Sequence, residues 1–314
     1  MYIFTAENII KKYDNYIALN EVSIHVQRGS IFGLLGPNGA GKTSLIRIIN
    51  QITGPDKGEM FFNGEKLGLK HIERIGYLPE ERGLYKKMEV GEQVLYLARL
   101  KGLSRKEAIS KLKYWFEKFE ITGWWNKKIE ELSKGMQQKV QFIVTILHQP
   151  ELLILDEPFS GFDPINANLI KNEILELKKQ GTSIIFSTHN MASVEELCDD
   201  IALINKSKKI LEGSVKEIKK EFSTNTYKVE FTGNIVSFTN ALWTSCQLIE
   251  QYSEGNVNYA IVKLLHQTNP NQLLQQIIPH VNVNGLQEIV PSMNDIFIAK
   301  VSNEKIASVE GLTE

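Results

Sequence analysis

Apolar positions fall along the chain in two patterns. Short, wholly apolar runs end at glycine or at a polar pair: Ile31–Leu35 before Gly36, residues 152–155 before Asp156 and Glu157, and the core of 182–187. Runs of that length and composition predict strands buried on both faces of a parallel sheet. Between them lies helical spacing, at residues 42–52 and through 88–147, where 90–100, 105–119 and 135–147 show little strand character. The alternation predicts an α/β domain, with a helical subdomain inserted at about 86–147.

Beyond residue 222 the pattern changes. Strand signals at 227–232, 246–252, 257–264 and 281–289 alternate with helical ones at 236–243, 271–278 and 293–301. The order βαββαβ with a final helix predicts a small α+β, ferredoxin-like domain. Composition changes at the same place. Residues 222–302 hold 8 charged residues in 81, against 17 Asn and Gln. The first 221 residues carry 32 basic and 29 acidic side chains, the rest 4 and 8. The charged stretch 216–221 running into polar residues reads as a linker. The expected organisation is therefore 1–221, 222–303 and a tail at 304–314.

Overall charge narrows the function classes. With 36 Lys and Arg against 37 Asp and Glu, the chain has no basic field, so a nucleic-acid partner is not expected. The longest apolar stretches, 142–147 and 152–155, fall far short of the roughly 20 residues of a membrane span. The first residues lack a basic and then apolar leader, and two cysteines, Cys198 and Cys246, cannot make a disulfide scaffold. The expectation is a soluble, cytosolic chain.

Two segments carry chemistry. Gly36-Pro37-Asn38-Gly39-Ala40-Gly41-Lys42-Thr43 fits G-x-x-x-x-G-K-[ST] between a predicted strand and helix. Glycines let the backbone wrap phosphate oxygens, and the helix N-terminus adds positive potential. Lys42 would reach the β- and γ-phosphates, and the Thr43 hydroxyl would ligate Mg²⁺. The run 152–155 would deliver Asp156 to the same strand end, to hold Mg²⁺ through water, with Glu157 as the base that polarises the attacking water.

Further motifs give the chain a family resemblance. Leu132-Ser133-Lys134-Gly135-Met136 resembles the LSGGQ signature of ATP-binding-cassette (ABC) transporter subunits, with Ser133 lying 23 residues before Asp156. His189, 33 residues after Asp156, resembles the switch histidine; 160–163, ending in Asp163, resembles the D-loop. Tyr13, 23 residues before Gly36, matches the aromatic that stacks on adenine. The resemblance covers about 3–220. It implies a P-loop ABC ATPase fold with a parallel core sheet, an antiparallel β subdomain and a helical signature subdomain.

By the same resemblance, Tyr13, Asn38, Gly39, Gly41, Lys42, Thr43 and Ser44 hold ATP with Mg²⁺ on one subunit. Ser133 and Gly135 of a second subunit cap it, with Asp163 at the interface. Glu157 and His189 act on the γ-phosphate. A homodimer, or a heterodimer with another ATPase subunit, would drive a separate transmembrane permease from the cytoplasmic face of the membrane. The signature departs from the pattern at Lys134 and Met136, while Ser133 and Gly135 are kept. At the Q-loop position Glu80 replaces the usual glutamine; it offers an oxygen to metal or water and adds negative charge. Residues 81–85 and 290–297 resemble a single-cassette subgroup that includes sodium- and drug-export subunits, which implies export. The alternatives are a soluble ABC ATPase acting on ribosomes or nucleic acid, and a nucleotide-gated regulator. In the C-terminal part His266 and His280 are isolated from other metal-ligating residues, and Phe238 with Trp243 suggests a small core.

Overall fold

The computed structural model describes residues 1–81, 83–242, 245–265 and 268–302. Trp243, His266 and the 304–314 tail lie outside them. The chain divides into two compact units, Met1–Val215 and the part from Lys216 onward. The composition break at 222 marks the end of a charged helix; the packing division falls before that helix.

The first unit opens with β1 (Tyr2–Tyr13), β2 (Tyr16–Gln27), β3 (Ile31–Leu35), α1 (Lys42–Ile49), β4 (Lys57–Phe62), β5 (Glu65–Lys66) and β6 (Ile75–Leu78). Helices α2 (Val90–Leu100), α3 (Arg105–Lys118) and α4 (Lys134–Ile146) follow. The unit then alternates β7 (Leu152–Asp156), α5 (Pro164–Lys179), β8 (Ser183–Thr188), α6 (Met191–Leu197), β9 (Asp200–Asn205) and β10 (Lys208–Ser214). The helix predicted over 42–52 stops at Ile49: Asn50 caps it through its side-chain amide to Ile46 O, and Gln51 takes a left-handed conformation.

Six strands form the central sheet in the order β10-β9-β3-β8-β7-β6. The pairs from β9 across to β6 are parallel, and β10 returns antiparallel. Every residue of β3, β7 and β8 is buried, and alternate residues face opposite cores. Phe32, Leu34, Leu152, Ile154 and Ile185 pack with α1 and the antiparallel sheet β2-β1-β4-β5. Ile31, Leu153, Leu155, Ile184 and Phe186 pack with the helical side, including Phe119, Phe142, Ile143 and Ile170. Burial on both faces accounts for the unbroken apolar runs.

Two of the three helices of the inserted region, α3 and α4, start at side-chain caps. Ser104 accepts from Glu107 N, and Glu107 returns a carboxylate to Ser104 N, closing a capping box on α3. Ser133 accepts from Met136 N and starts α4.

The second unit holds α7 (Val215–Glu221) from its second residue on, then β11 (Thr226–Thr232), α8 (Ile235–Ala241), β12 (Cys246–Glu254), β13 (Val257–Leu264), α9 (Pro270–Ile277), β14 (Asn282–Ile289) and α10 (Met293–Ser302). Its sheet runs β12-β13-β11-β14 with all pairs antiparallel, the strand order of a ferredoxin-like fold. Phe231 and Phe238 stack in its core at 4.2 Å. Among the described residues no helix is long and apolar enough to cross a membrane.

Phe142 is fully buried on α4, its ring 6.1 Å from that of Phe119. Phe142→Ala is expected to lower the unfolding free energy by about 3–5 kcal/mol in chemical denaturation, because the pocket it leaves is lined by rigid strands and helices.

Candidate functional site

Strand register builds the site. Leu35 of β3 pairs with Thr188 of β8, Ser187 with Asp156 of β7, and Leu155 with Leu78 of β6. The carboxyl ends of four strands therefore lie level. The residues just beyond them, 36–43, 79–80, 157 and 189, converge on the crevice where open α/β sheets bind ligands.

The loop after β3 is shaped by backbone fit. Gly36 and Gly41 have φ values of +148° and +118°. A Cβ at Gly36 would lie 2.2 Å from Ile204 O, and one at Gly41 2.3 Å from Ala18 O. No side chain caps α1, so its first N–H groups are left for a ligand. Asn38, Gly39, Gly41, Lys42, Thr43 and Ser44 line a cavity of about 150 Å³ together with Tyr16, Glu80, Asp156 and Glu157. That volume suits a phosphate chain; pockets enclosing a drug-sized ligand run about 300–1,000 Å³.

Lys42 is buried, and its Nζ donates to Gly36 O at 2.7 Å and Pro37 O at 3.2 Å. Burial lowers its pKa, while the Glu157, Asp156 and Glu80 carboxylates pull the other way. Asp156 is also buried; Ser187 Oγ donates to its Oδ1 at 2.8 Å. Burial raises the Asp156 pKa and the Glu80 and Glu157 charges add to the rise, against the Ser187 hydrogen bond and Lys42. An anionic ligand carrying a divalent cation would answer both groups at once.

Thr43, Asp156 and Glu80 offer oxygen donors to one cavity, a set suited to Mg²⁺. Among the described residues no group of three or more His, Cys, Asp or Glu side chains could hold a metal by itself. The fit is to a cation that keeps waters and shares substrate phosphates, as Mg²⁺ does.

Glu157 takes a left-handed conformation, with φ +47°. Its Oε1 accepts from His189 N at 2.9 Å and lies 2.6 Å from His189 Nδ1; its Oε2 accepts from Thr188 Oγ1 at 3.0 Å. His189 does not line the cavity itself but is joined to it through Glu157.

Ser133, Gly135 and Asp163 form a second group, none of it on the cavity wall. Ser133 is exposed at the start of α4. Gly135 lies beside Gly161 and Phe162, and Asp163 caps α5 by accepting from Asn166 N at 3.0 Å. Tyr13 is 41% exposed with Lys11 Nζ 5.4 Å from its ring centroid, and it does not line the cavity. Tyr16 does, and its hydroxyl donates to Gly39 O at 2.7 Å. Spacing to Gly36 singled out Tyr13; the signal for Tyr16 is only a second aromatic across the β1–β2 turn. Thr188 was also missed, although it directly precedes His189.

The chain is similar to known proteins in sequence and in fold. Residues 19–160 match the ABC transporter family model, and residues 213–301 match the C-terminal domain of DrrA1-3-like ATP-binding proteins. The chain is 41% identical over 305 residues to the uncharacterized ABC transporter ATP-binding protein YhaQ of Bacillus subtilis, covering 95% of this chain and 98% of that one. It is 29% identical over 302 residues to the linearmycin resistance ATP-binding protein LnrL of the same organism, covering 93% and 96%. It is 34% identical over 215 residues to the Nod factor export ATP-binding protein I of Burkholderia thailandensis, covering 68% and 71%. A solved ATP-binding subunit of an ABC transporter superimposes with a TM-score of 0.66 at 30% identity, over 70% of this chain and 93% of that one.

Gly41→Ala would put a Cβ into Ala18 O and strain a left-handed residue. ATP binding, read by equilibrium dialysis, is expected to fall at least about tenfold.

Proposed function

The chain belongs to the family of ABC transporter ATP-binding proteins, whose members hydrolyse ATP to power transport, and on that premise we propose how its residues divide the work. The loop 36–43 and the start of α1 wrap the phosphates, with Asn38, Gly39, Gly41 and Ser44 on the backbone side and Lys42 on the β- and γ-phosphates. Thr43, Asp156 and Glu80 hold Mg²⁺ among its waters. The metal neutralises charge on the phosphate oxygens when bound.

Glu157 is the general base. It takes a proton from the water that attacks the γ-phosphorus, and the electron pair of the breaking bond leaves on the β-phosphate oxygen. His189, two-thirds exposed and bound to Glu157, turns between the carboxylate and the γ-phosphate. Lys42 leaves its loop carbonyls for the phosphates, a move favoured because its buried charge gains a closer anionic partner.

The observation that supports dimerisation is the separation of the two groups. The cavity has room for a phosphate chain, and Ser133, Gly135 and Asp163 lie off its wall. A second ATPase subunit placed head to tail would lay its Ser133 and the N-terminus of its α4 over the γ-phosphate. Closure on ATP and release after hydrolysis would pass to a separate permease through the segment 80–88. The chain would thus work as a peripheral protein on the cytoplasmic face of the membrane. Export is the direction supported by the names of the relatives, which include drug resistance and Nod factor export. No observation favours the ribosomal, nucleic-acid or purely regulatory readings.

Glu157→Gln tests the assignment. The kcat for ATP is expected to fall about 10²- to 10⁴-fold with ATP affinity retained. Light scattering should then find an ATP-bound dimer. Wild-type turnover would overturn the general base, and a persistent monomer would overturn the sandwich.

A further inference from the structure

Thr188 sits where β8 ends, 2% exposed, between Ser187, which bonds Asp156, and His189, which bonds Glu157. Its hydroxyl has two partners. It donates to Glu157 Oε2 at 3.0 Å and accepts from Asn190 N at 3.1 Å. The second bond fixes the rotor, because the acceptor side of the oxygen is used and the proton is left for the carboxylate. Asn190 is itself held, since its side chain caps α6 by accepting from Ser193 N.

The two oxygens of Glu157 are therefore not equivalent. Oε1 is bound by the His189 backbone N–H, which stays in place, and by the His189 ring, which is 66% exposed. Oε2 is bound by a buried hydroxyl that has nowhere to go. Glu157 needs such an anchor. Its left-handed backbone is a strained conformation for a residue with a side chain, and it persists only when neighbours over-determine it. The backbone adds two bonds, from Glu157 N to Ser187 O at 2.9 Å and from Ser160 N to Glu157 O at 3.1 Å, and neither reaches the carboxylate.

We propose that Thr188 is a positioning residue for ATP hydrolysis: its hydroxyl pins Oε2 of Glu157, so that Oε1 is the oxygen that receives the water proton when His189 turns to the γ-phosphate. This rests on Glu157 acting as the base. Thr188 does not line the phosphate cavity and touches the reaction only through the carboxylate. Its loss should slow the chemical step without weakening nucleotide binding. A hydrogen bond from a neutral donor to a charged group predicts a loss of about 10- to 100-fold in kcat.

The test is steady-state ATPase kinetics with Mg-ATP on the full chain, for Thr188→Val, Thr188→Ser, Glu157→Gln and the pair Thr188→Val with Glu157→Gln. Thr188→Val is expected to lower kcat by that factor with KM unchanged and the thermal midpoint only slightly lowered, as two hydrogen bonds are lost. Thr188→Ser, which keeps the hydroxyl, should restore most of the rate. In the Glu157→Gln background Thr188→Val should cost nothing more. Should Thr188→Val fail to fold, the smaller Thr188→Ala carries the same expectation. The proposal is overturned by a wild-type kcat in the valine variant, by a serine variant as slow as the valine one, by a rise in KM alone, or by additive losses in the pair. Glu157→Gln turning over like wild type would instead remove the base assignment beneath it, a separate and recognisable failure.

Discussion

Everything at the site depends on the parallel register of β3, β8, β7 and β6. Each strand is short, and each ends at the same edge. A parallel ladder with one residue of slip would carry Asp156 away from Ser187 and turn the alternating apolar residues to the wrong cores. The two cores, one against α1 and the antiparallel sheet and one against the helical region, hold that register from both faces. The loop 36–43, the acidic pair Asp156 and Glu157, and His189 thus keep their positions through the apolar packing beneath them.

Charge at the site follows from that burial. Lys42 and Asp156 are both desolvated, and burial drives each toward neutrality. Three carboxylates face one ammonium in the cavity, an arrangement that an anion with its divalent cation can balance. Glu80, where a glutamine is usual in the family, deepens the negative side of that balance. The polar contacts around Glu157 serve another need. They hold a carboxylate in a strained backbone conformation while leaving one of its partners, His189, at the surface.

Much of this was legible along the chain because it is local. The loop 36–43 is a contiguous motif whose glycines answer to positive φ and close backbone approach. The apolar run before Asp156 is a contiguous strand, and Ser133 is the N-cap that its place before a helical pattern implies. The βαββαβ order of the second unit was readable from its succession of short strand and helix signals bounded by polar residues. The helix after Lys42 read three residues too long because Asn50 and Gln51 end it by side-chain and left-handed backbone geometry, which hydrophobic spacing does not register.

What the sequence determined by itself was a set of candidate groups: a glycine loop suited to phosphate, an acidic pair at a strand end, and a serine at a helix start. These depend on residue type and near spacing. The tertiary structure decided which further side chains meet these groups. Tyr16 lines the phosphate cavity, its hydroxyl donating to Gly39 O, while Tyr13, read as the adenine aromatic, stands off that cavity. Thr188 meets Glu157 across 31 residues of sequence, because β7 and β8 pair in parallel. Such contacts are set by strand pairing, and no local pattern in either segment encodes its partner.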